Sequence, residues 1–425
     1  MKLLLTSGGV TNASIHDALV GLLGQPIAES NALCIPTAQW GHPMCGPASV
    51  RRFITDQTPA TMSGLDWKSV GVLELTALPS MGQDRWVPWV QEADVLLAMI
   101  DARSVNHHDL SAHLPGVSTP QAKKRCADRT FRDDRLDIGF FMALLVAHLP
   151  PVKVLLSLNR TNWEHGETPI NFLVLGAVAH GFTLPLIWVP LDQAGNSHTY
   201  DWMWLVLKLL HVLPAKRWQG LVADREFIGA EWFRFLRRQG IKRAIRIRYN
   251  NLLDDLSGKE WFDHVQHGHF HEIDEKVFVF GELMRVVATR PPSGDLVIIA
   301  TDFSVRKTWK LYRLRWSVEC TFSSFKTRGF DLERTGITDA GRLRRLFGLV
   351  TLAWMFCLQL GVWLSQTQPI PILKHGRKAV SLVRHGAQHL VDALRWKPER
   401  FVAFLDLLTR SFCPPGEAGS EVVTY

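Results

Sequence analysis

A chain of 425 residues exceeds what one hydrophobic core usually organises, so two or three folding units are expected, and its composition is that of a globular protein. Its formal charge of +8 is uneven: Met1 to Asp94 carries 5 Lys and Arg against 8 Asp and Glu, and the remainder carries 43 against 32, net +11, the electrostatic footprint of a protein that neutralises phosphates. Six cysteines (Cys34, Cys45, Cys126, Cys320, Cys357, Cys413) without CxxC pairing or regular spacing indicate neither a zinc ribbon nor a disulfide framework and fit a reducing cytoplasm, and the apolar run in MKLLLTSGG is too short for a signal peptide.

The first stretch alternates apolar runs with turn signals: KLLLTSGG, NALCIPTA, SVGVLELTALP and ADVLLAMI, with a helical pattern around Ser14 to Leu23. Each run reads as a strand at the start of a parallel α/β sheet. Their order, with MKLLLTSGG and WVPWVQEADVLL, resembles the peptidase E family, relatives of glutamine amidotransferases, so residues 1–98 are expected to be a truncated, amidotransferase-like α/β fragment. That family uses a serine on a sharp G-x-S-x-G turn. The nearest match, Gly116-Val117-Ser118-Thr119-Pro120, lacks the second glycine and reads as a helix start, with Ser118 or Thr119 as N-cap and Pro120 in the first turn. A serine peptidase is thus only the remote alternative.

From Arg103 to Leu149 the text is helical and basic (QAKKRCADRTFRDDR), then apolar (FFMALLVAHL). Residues 99–150 read as a basic helical DNA-binding region, or as a solvated helix packing on its neighbour. Strand signals follow in VKVLLSL, INFLVLGAVA and FTLPLIWVPL, then a helix over Tyr200 to Leu213, strand GLVAD, helix Glu231 to Gln239 and strand KRAIRIRY. Three strands, helix, strand, helix, strand is the order of an RNase H-like fold, expected over 151–249 and 306–368, with a helix over Arg315 to Arg328. Residues 250–305, with EKVFVFGEL, MRVVATR and DLVIIATD, read as a β-rich insertion. The uncharged run Leu346 to Leu364 has the length of a membrane span, but its glutamine, its glycines and its place late in a globular pattern favour a buried helix. Residues 369–425 return to basic helical text and end in a tail expected to fray.

Cutting a phosphodiester requires an activated nucleophile and a stabilised leaving oxygen, which two Mg²⁺ ions about 4 Å apart, held by carboxylates, can provide. In the expected fold, acids after the first and fourth strands converge, and a third can approach from a later helix. Asp224 ends GLVAD and Glu319 lies on the later helix, whereas the place after VKVLLSL holds Asn159. Tyr312-(2)-Arg315-(3)-Glu319-(6)-Lys326 reproduces the Y-R-E-K signature of the insertion sequence 4 family of DDE transposases, and LSLNRTNW and LVADREFIG resemble that family's D-R-T and D-R-E-F-I-G contexts, the first except at the acid itself. The resemblance covers about residues 99–365. It implies a DNA transposase with DNA cleavage and strand transfer, Asn159, Asp224 and Glu319 as ligands of two Mg²⁺ (or Mn²⁺) ions, and Tyr312, Arg315 and Lys326 on DNA. It further implies transposon ends and target DNA as partners, a homodimer on that DNA, no membrane, and a cytoplasmic place. An amide oxygen is neutral and cannot bridge two cations, so activity is expected to be impaired, and the alternative is a catalytically inactive DNA-binding remnant. The whole chain reads as a chimera, an element inserted in a gene.

Other candidates carry blander readings. His264, His267, His269 and His271 look like metal ligands but suit an exposed edge of the insertion; His107, His108 and His113 suit a polar helix face. Trp261 could wedge against a flipped base, and otherwise is a core tryptophan.

Overall fold

The computed structural model describes residues 13–29, 31–34, 65, 69–72, 94–115, 119–191, 197–292, 294–326, 328–374, 376–397, 400–401 and 403–404. KLLLTSGG, Ser118 and the C-terminal tail lie outside them. The chain divides into two compact units, Met1–Gln91 and Glu92–Tyr425.

In the first unit the expected helix is α1 (Ala13–Leu23), and NALC and SVGV supply β1 (Asn31–Cys34) and β2 (Ser69–Val72), which pair in parallel. The run ADVLLAMI, expected as a strand, belongs to the second unit, where residues 94–102 are helical. Val95, Ala98 and Met99 are buried at helical spacing, so a near-continuous apolar run here serves a helix and not a strand.

Three capped helices follow. In α2 (His107–His113), α3 (Pro120–Arg132) and α4 (Ile138–Ala147), the side chains of Asn106, Thr119 and Asp137 each accept a hydrogen bond from a first-turn N–H, and Pro120 occupies the first turn of α3. Thr119 is therefore the cap expected in the Ser118-Thr119-Pro120 run.

The centre is a mixed sheet. β3 (Val154–His165), β4 (Thr168–Ala179) and β5 (Phe182–Leu191) form an antiparallel meander; β6 (Trp218–Ala223) and β7 (Arg243–Ile247) then add in parallel on the other side of β3. Helix α5 (Thr199–Val212) links β5 to β6, and α6 (Ala230–Arg238) links β6 to β7. The spatial order β5-β4-β3-β6-β7 is consistent with an RNase H-like transposase core. Where β4 and β5 shift register at Gly176, a Cβ would come within 2.5 Å of the Leu184 carbonyl, so the bulge requires glycine.

The region after β7 is β-rich. It holds the small hairpin β8 (Leu252–Leu253) and β9 (Leu256–Ser257), the short helix α7 (Gly258–Phe262), then β10 (Phe270–Glu272), β11 (Val277–Val279), β12 (Glu282–Thr289) and β13 (Val297–Thr301). Strand β13 pairs antiparallel with β7 and β12 with β13, so these strands continue the central sheet and cover the edge that β7 would otherwise expose.

Helices α8 (Val305–Arg313), α9 (Ser317–Phe325), α10 (Ala340–Thr367) and α11 (Leu382–Trp396) complete the unit. The expected helix Arg315 to Arg328 is thus shorter: a 3-10 turn, Leu314–Trp316, precedes α9, and the chain leaves helical geometry at Lys326. Helix α10 is long and apolar enough to cross a membrane, but 83% of its most apolar window is buried inside the protein. Its Phe347 stacks on Phe172 of β4 and its Trp354 meets Phe182 of β5 edge-on.

Alternation along the strands divides the core in two. Leu156 and Leu158 of β3, with Leu221 and Ala223 of β6, join the large cluster that contains α10; Leu155, Val222 of β6 and Ala244 of β7 join a smaller one with Phe303 and Leu311 of α8. The next positions on the smaller cluster's face are Ser157 and Asn159, Asp224, and Arg246.

Candidate active site

Register brings those positions level. Leu158 of β3 pairs with Ala223 of β6, and Ala223 with Ile245 of β7, so Asn159, Asp224 and Arg246 are the next residues on three adjacent parallel strands. They lie at the C-terminal ends of β6 and β7, where parallel sheets place ligands. Asn159 is buried, 5% exposed, and its amide N–H donates to Ser157 Oγ at 2.6 Å, which leaves Oδ1 facing the site.

The third acid comes from α9. Thr321 of α9 donates its hydroxyl to the Thr183 carbonyl on β5, and the Thr183 N–H donates back to Thr321 Oγ1, both at 2.9 Å. This buried reciprocal pair pins the helix that carries Glu319. One turn earlier, Arg315 sits in the 3-10 turn between α8 and α9.

Arg315 is the hub. Its Nη1 lies 3.4 Å from Asn159 Oδ1, 3.8 Å from Asp224 Oδ2 and 3.5 Å from Glu319 Oε1. Three oxygens from β3, the end of β6 and α9 thus surround one guanidinium nitrogen, although the sequence separates Asn159 from Glu319 by 160 positions. Asp224 Oδ1 faces another guanidinium, Arg246 Nη1, at 3.8 Å, and accepts the Arg225 N–H at 2.8 Å. The two carboxylates are therefore balanced by two arginines.

Tyr312 of α8 lies beside this group, with the Arg315 guanidinium 6.0 Å from its ring centre. Burial pushes its phenol up to about 12, so it remains a neutral O–H at physiological pH. Glu226, two residues after Asp224, pairs with Arg160 at 3.1 Å; burial pushes its carboxyl up, Arg160 opposes that, and the Asp224 charge adds to it. Trp316, next to Arg315, is 59% exposed.

Lys326 does not join the cluster. It lies at the C-cap of α9, donates to the Asn162 carbonyl at 2.8 Å and pairs with Glu333 at 3.1 Å. Asn162 is three residues along β3 from Asn159, about 10 Å in an extended strand. Helical spacing over Arg315, Glu319 and Lys326 assumed one continuous helix, and the 3-10 turn before α9 with its early end removes that assumption.

Among the described residues, no group of three or more His, Cys, Asp or Glu gathers where a metal could be held. The rings of His264 and His271 meet edge-on at 4.7 Å, while His267 Nδ1 contacts the Pro291 carbonyl and His269 Nδ1 the His267 carbonyl. On α2, His107 lies by Asp128 and His113 by Asp101, and His108 is exposed. Trp261 packs on the core and donates to the Leu253 carbonyl at 3.1 Å.

The donors at Asn159, Asp224 and Glu319 are hard oxygens converging on a cationic centre, which suits Mg²⁺ or Mn²⁺ in kind. The set falls one negative charge short of three carboxylates. Sequence reasoning did not single out Arg246, Ser157 or Glu226. Period-two alternation from Ala244 in KRAIRIRY and from Asn159 in VLLSLN could have pointed to the first two, once β3, β6 and β7 were set side by side.

Comparison with known proteins bears on residues 154–356, which match the family model of the transposase DDE domain. No curated protein matches the chain. Among solved structures, the endonuclease V of Bacillus subtilis is similar at 8% identity and a TM-score of 0.23, over 50% of this chain and 95% of that one, a likeness too slight to carry an argument.

Proposed function

We propose that this chain, whose residues 154–356 match the family model of the transposase DDE domain, binds transposon-end and target DNA as an insertion sequence 4-type enzyme whose strand cleavage is impaired by Asn159. The observation that carries the reading is the convergence of Asn159, Asp224 and Glu319 on Arg315.

Asp224 and Glu319 would hold Mg²⁺ or Mn²⁺, with the Asn159 amide oxygen as a neutral third donor. A bound divalent ion would polarise the phosphate and lower the pKa of the attacking water. The chain's own part is to orient. Arg315 and Arg246 supply cations beside the acids and can receive the phosphate that the ion attracts, Tyr312 keeps a neutral O–H beside them, and the Thr183–Thr321 pair holds Glu319 in place. A catalytically inactive DNA-binding remnant is the second reading, and the neutral Asn159 favours it.

The homodimer on DNA, the cytoplasmic place and the amidotransferase-like origin of residues 1–98 belong to the same proposal. Electrophoretic titration of labelled duplexes carrying the element's ends tests the reading. Binding that weakens steeply with salt and survives Asp224→Asn supports it, and the absence of DNA binding at low salt would overturn it.

A further inference from the structure

We infer that this site takes one divalent cation and not two, in the place where the Arg315 guanidinium lies. The inference rests on the reading of Asp224 and Glu319 as metal ligands and concerns how many ions they can serve.

The first argument is convergence. Asn159 Oδ1, Asp224 Oδ2 and Glu319 Oε1 all lie within 3.8 Å of one nitrogen, Arg315 Nη1, so they define a single cation position. An ion there draws the oxygens in to about 2.0–2.1 Å for Mg²⁺ and displaces the guanidinium. Ion and Arg315 therefore compete.

The second argument is what remains for another ion. A second ion about 4 Å away needs a carboxylate that bridges the pair. Asn159 has one coordinating oxygen; the other end of its amide is an N–H donor committed to Ser157 Oγ at 2.6 Å. Asp224 could bridge only through Oδ1. That oxygen already accepts the Arg225 N–H at 2.8 Å and faces Arg246 Nη1 at 3.8 Å, so a fixed positive charge stands on the side where a second ion would go. Glu226, whose charge is felt at Asp224, is paired with Arg160 at 3.1 Å.

An aspartate at position 159 changes this balance. It adds a negative charge and a second oxygen beside Ser157, whose hydroxyl can turn from accepting to donating. Two carboxylates, at 159 and 224, can then share ions despite Arg246.

Titration of the full chain with Mn²⁺, read from the electron paramagnetic resonance signal of the free ion, tests the inference without any cleavage assay. The unaltered chain should bind one equivalent that the double variant Asp224→Asn, Glu319→Gln does not bind. Asn159→Asp should bind two equivalents. Arg315→Gln should bind one, tighter by about tenfold or more, because the competing cation is gone. Two site-dependent equivalents in the unaltered chain, or no tightening in Arg315→Gln, would overturn the inference, and the Arg315→Gln arm stands even if Asn159→Asp folds poorly. No site-dependent Mn²⁺ at all would instead overturn the assignment of Asp224 and Glu319 as ligands. DNA binding is read separately and is unaffected by these outcomes.

Discussion

Asn159 occupies a place that suits the acid it lacks. Its neighbour on the same face, Ser157, accepts the amide N–H and can donate to a carboxylate with a turn of its hydroxyl. Arg315 already donates to Oδ1. Asn159→Asp should therefore leave thermal stability unchanged within about 1 kcal/mol, whereas Asn159→Leu should cost more, because it leaves Ser157 without this partner; melting curves of the two variants check this. Glu164, an acid on the same strand, lies five positions along β3, on the opposite face and about 16 Å away, so it cannot take the place of Asn159. At this scale Asn159, Asp224 and Glu319 could be proposed together from the sequence, because strand-end acids and the Y-R-E-K spacing are local text. Arg246 was not, because an arginine in a basic strand looks like any other until β6 and β7 are paired.

Between elements, the helices that close the sheet explain features that composition left ambiguous. The uncharged Leu346 to Leu364 run has the length of a membrane span, while its glycines favour a packed helix. A Cβ on Gly361 of α10 would lie 1.9 Å from the Leu382 carbonyl, and one on Gly386 of α11 would lie 1.8 Å from the Cys357 carbonyl, so the two helices cross with their backbones touching. Gly386→Ala should force them apart and lower stability by about 2–3 kcal/mol, measurable by denaturant titration; a neutral effect would show that the crossing is loose. Residues 94–102 are tied to the same corner through Asp101, which pairs with Arg395 of α11 and with His113 of α2 at 2.9 Å. Burial pushes the Asp101 carboxyl up, but the hydrogen bonds and charges of Arg395 and His113 outweigh it and hold it below its ordinary 3.8. Folding therefore favours the ionised form. Its contribution is present above that value and is lost as pH falls through the lowered one. Asp101→Asn should lower the melting temperature at neutral pH, and the gap to the unaltered chain should close in acid, as pH falls through the lowered value. A gap that persists in acid would contradict the sign. None of these ties was legible in the sequence, since contacts between separate helices, 12 positions apart for Asp101 and His113 and 294 for Asp101 and Arg395, leave no local pattern.

For the whole molecule, the sequence order of strands and helices after residue 150 carried most of the information, because the β5-β4-β3-β6-β7 arrangement follows from strand order and connection length. What it did not reveal was that β12 and β13 extend the same sheet, since pairing partners across a long insertion are not written locally. The same scale governs DNA affinity. The chain beyond Asp94 carries net +11, spread over many side chains, so binding should weaken by orders of magnitude between 50 and 200 mM salt and change little on Asn159→Asp. A shallow salt slope would deny the electrostatic role. The proposed cleavage would depend instead on a few groups acting as a unit. The most direct measurement is therefore strand cleavage of a transposon-end duplex in Mg²⁺ or Mn²⁺ by the unaltered chain and by Asn159→Asp, at matched DNA occupancy. The expected result is little or no cleavage by the former and at least about a hundredfold more by the latter, abolished by Asp224→Asn. Efficient cutting by the unaltered chain, or equal rates in the two, would contradict the central claim that this is a transposase site short of one carboxylate.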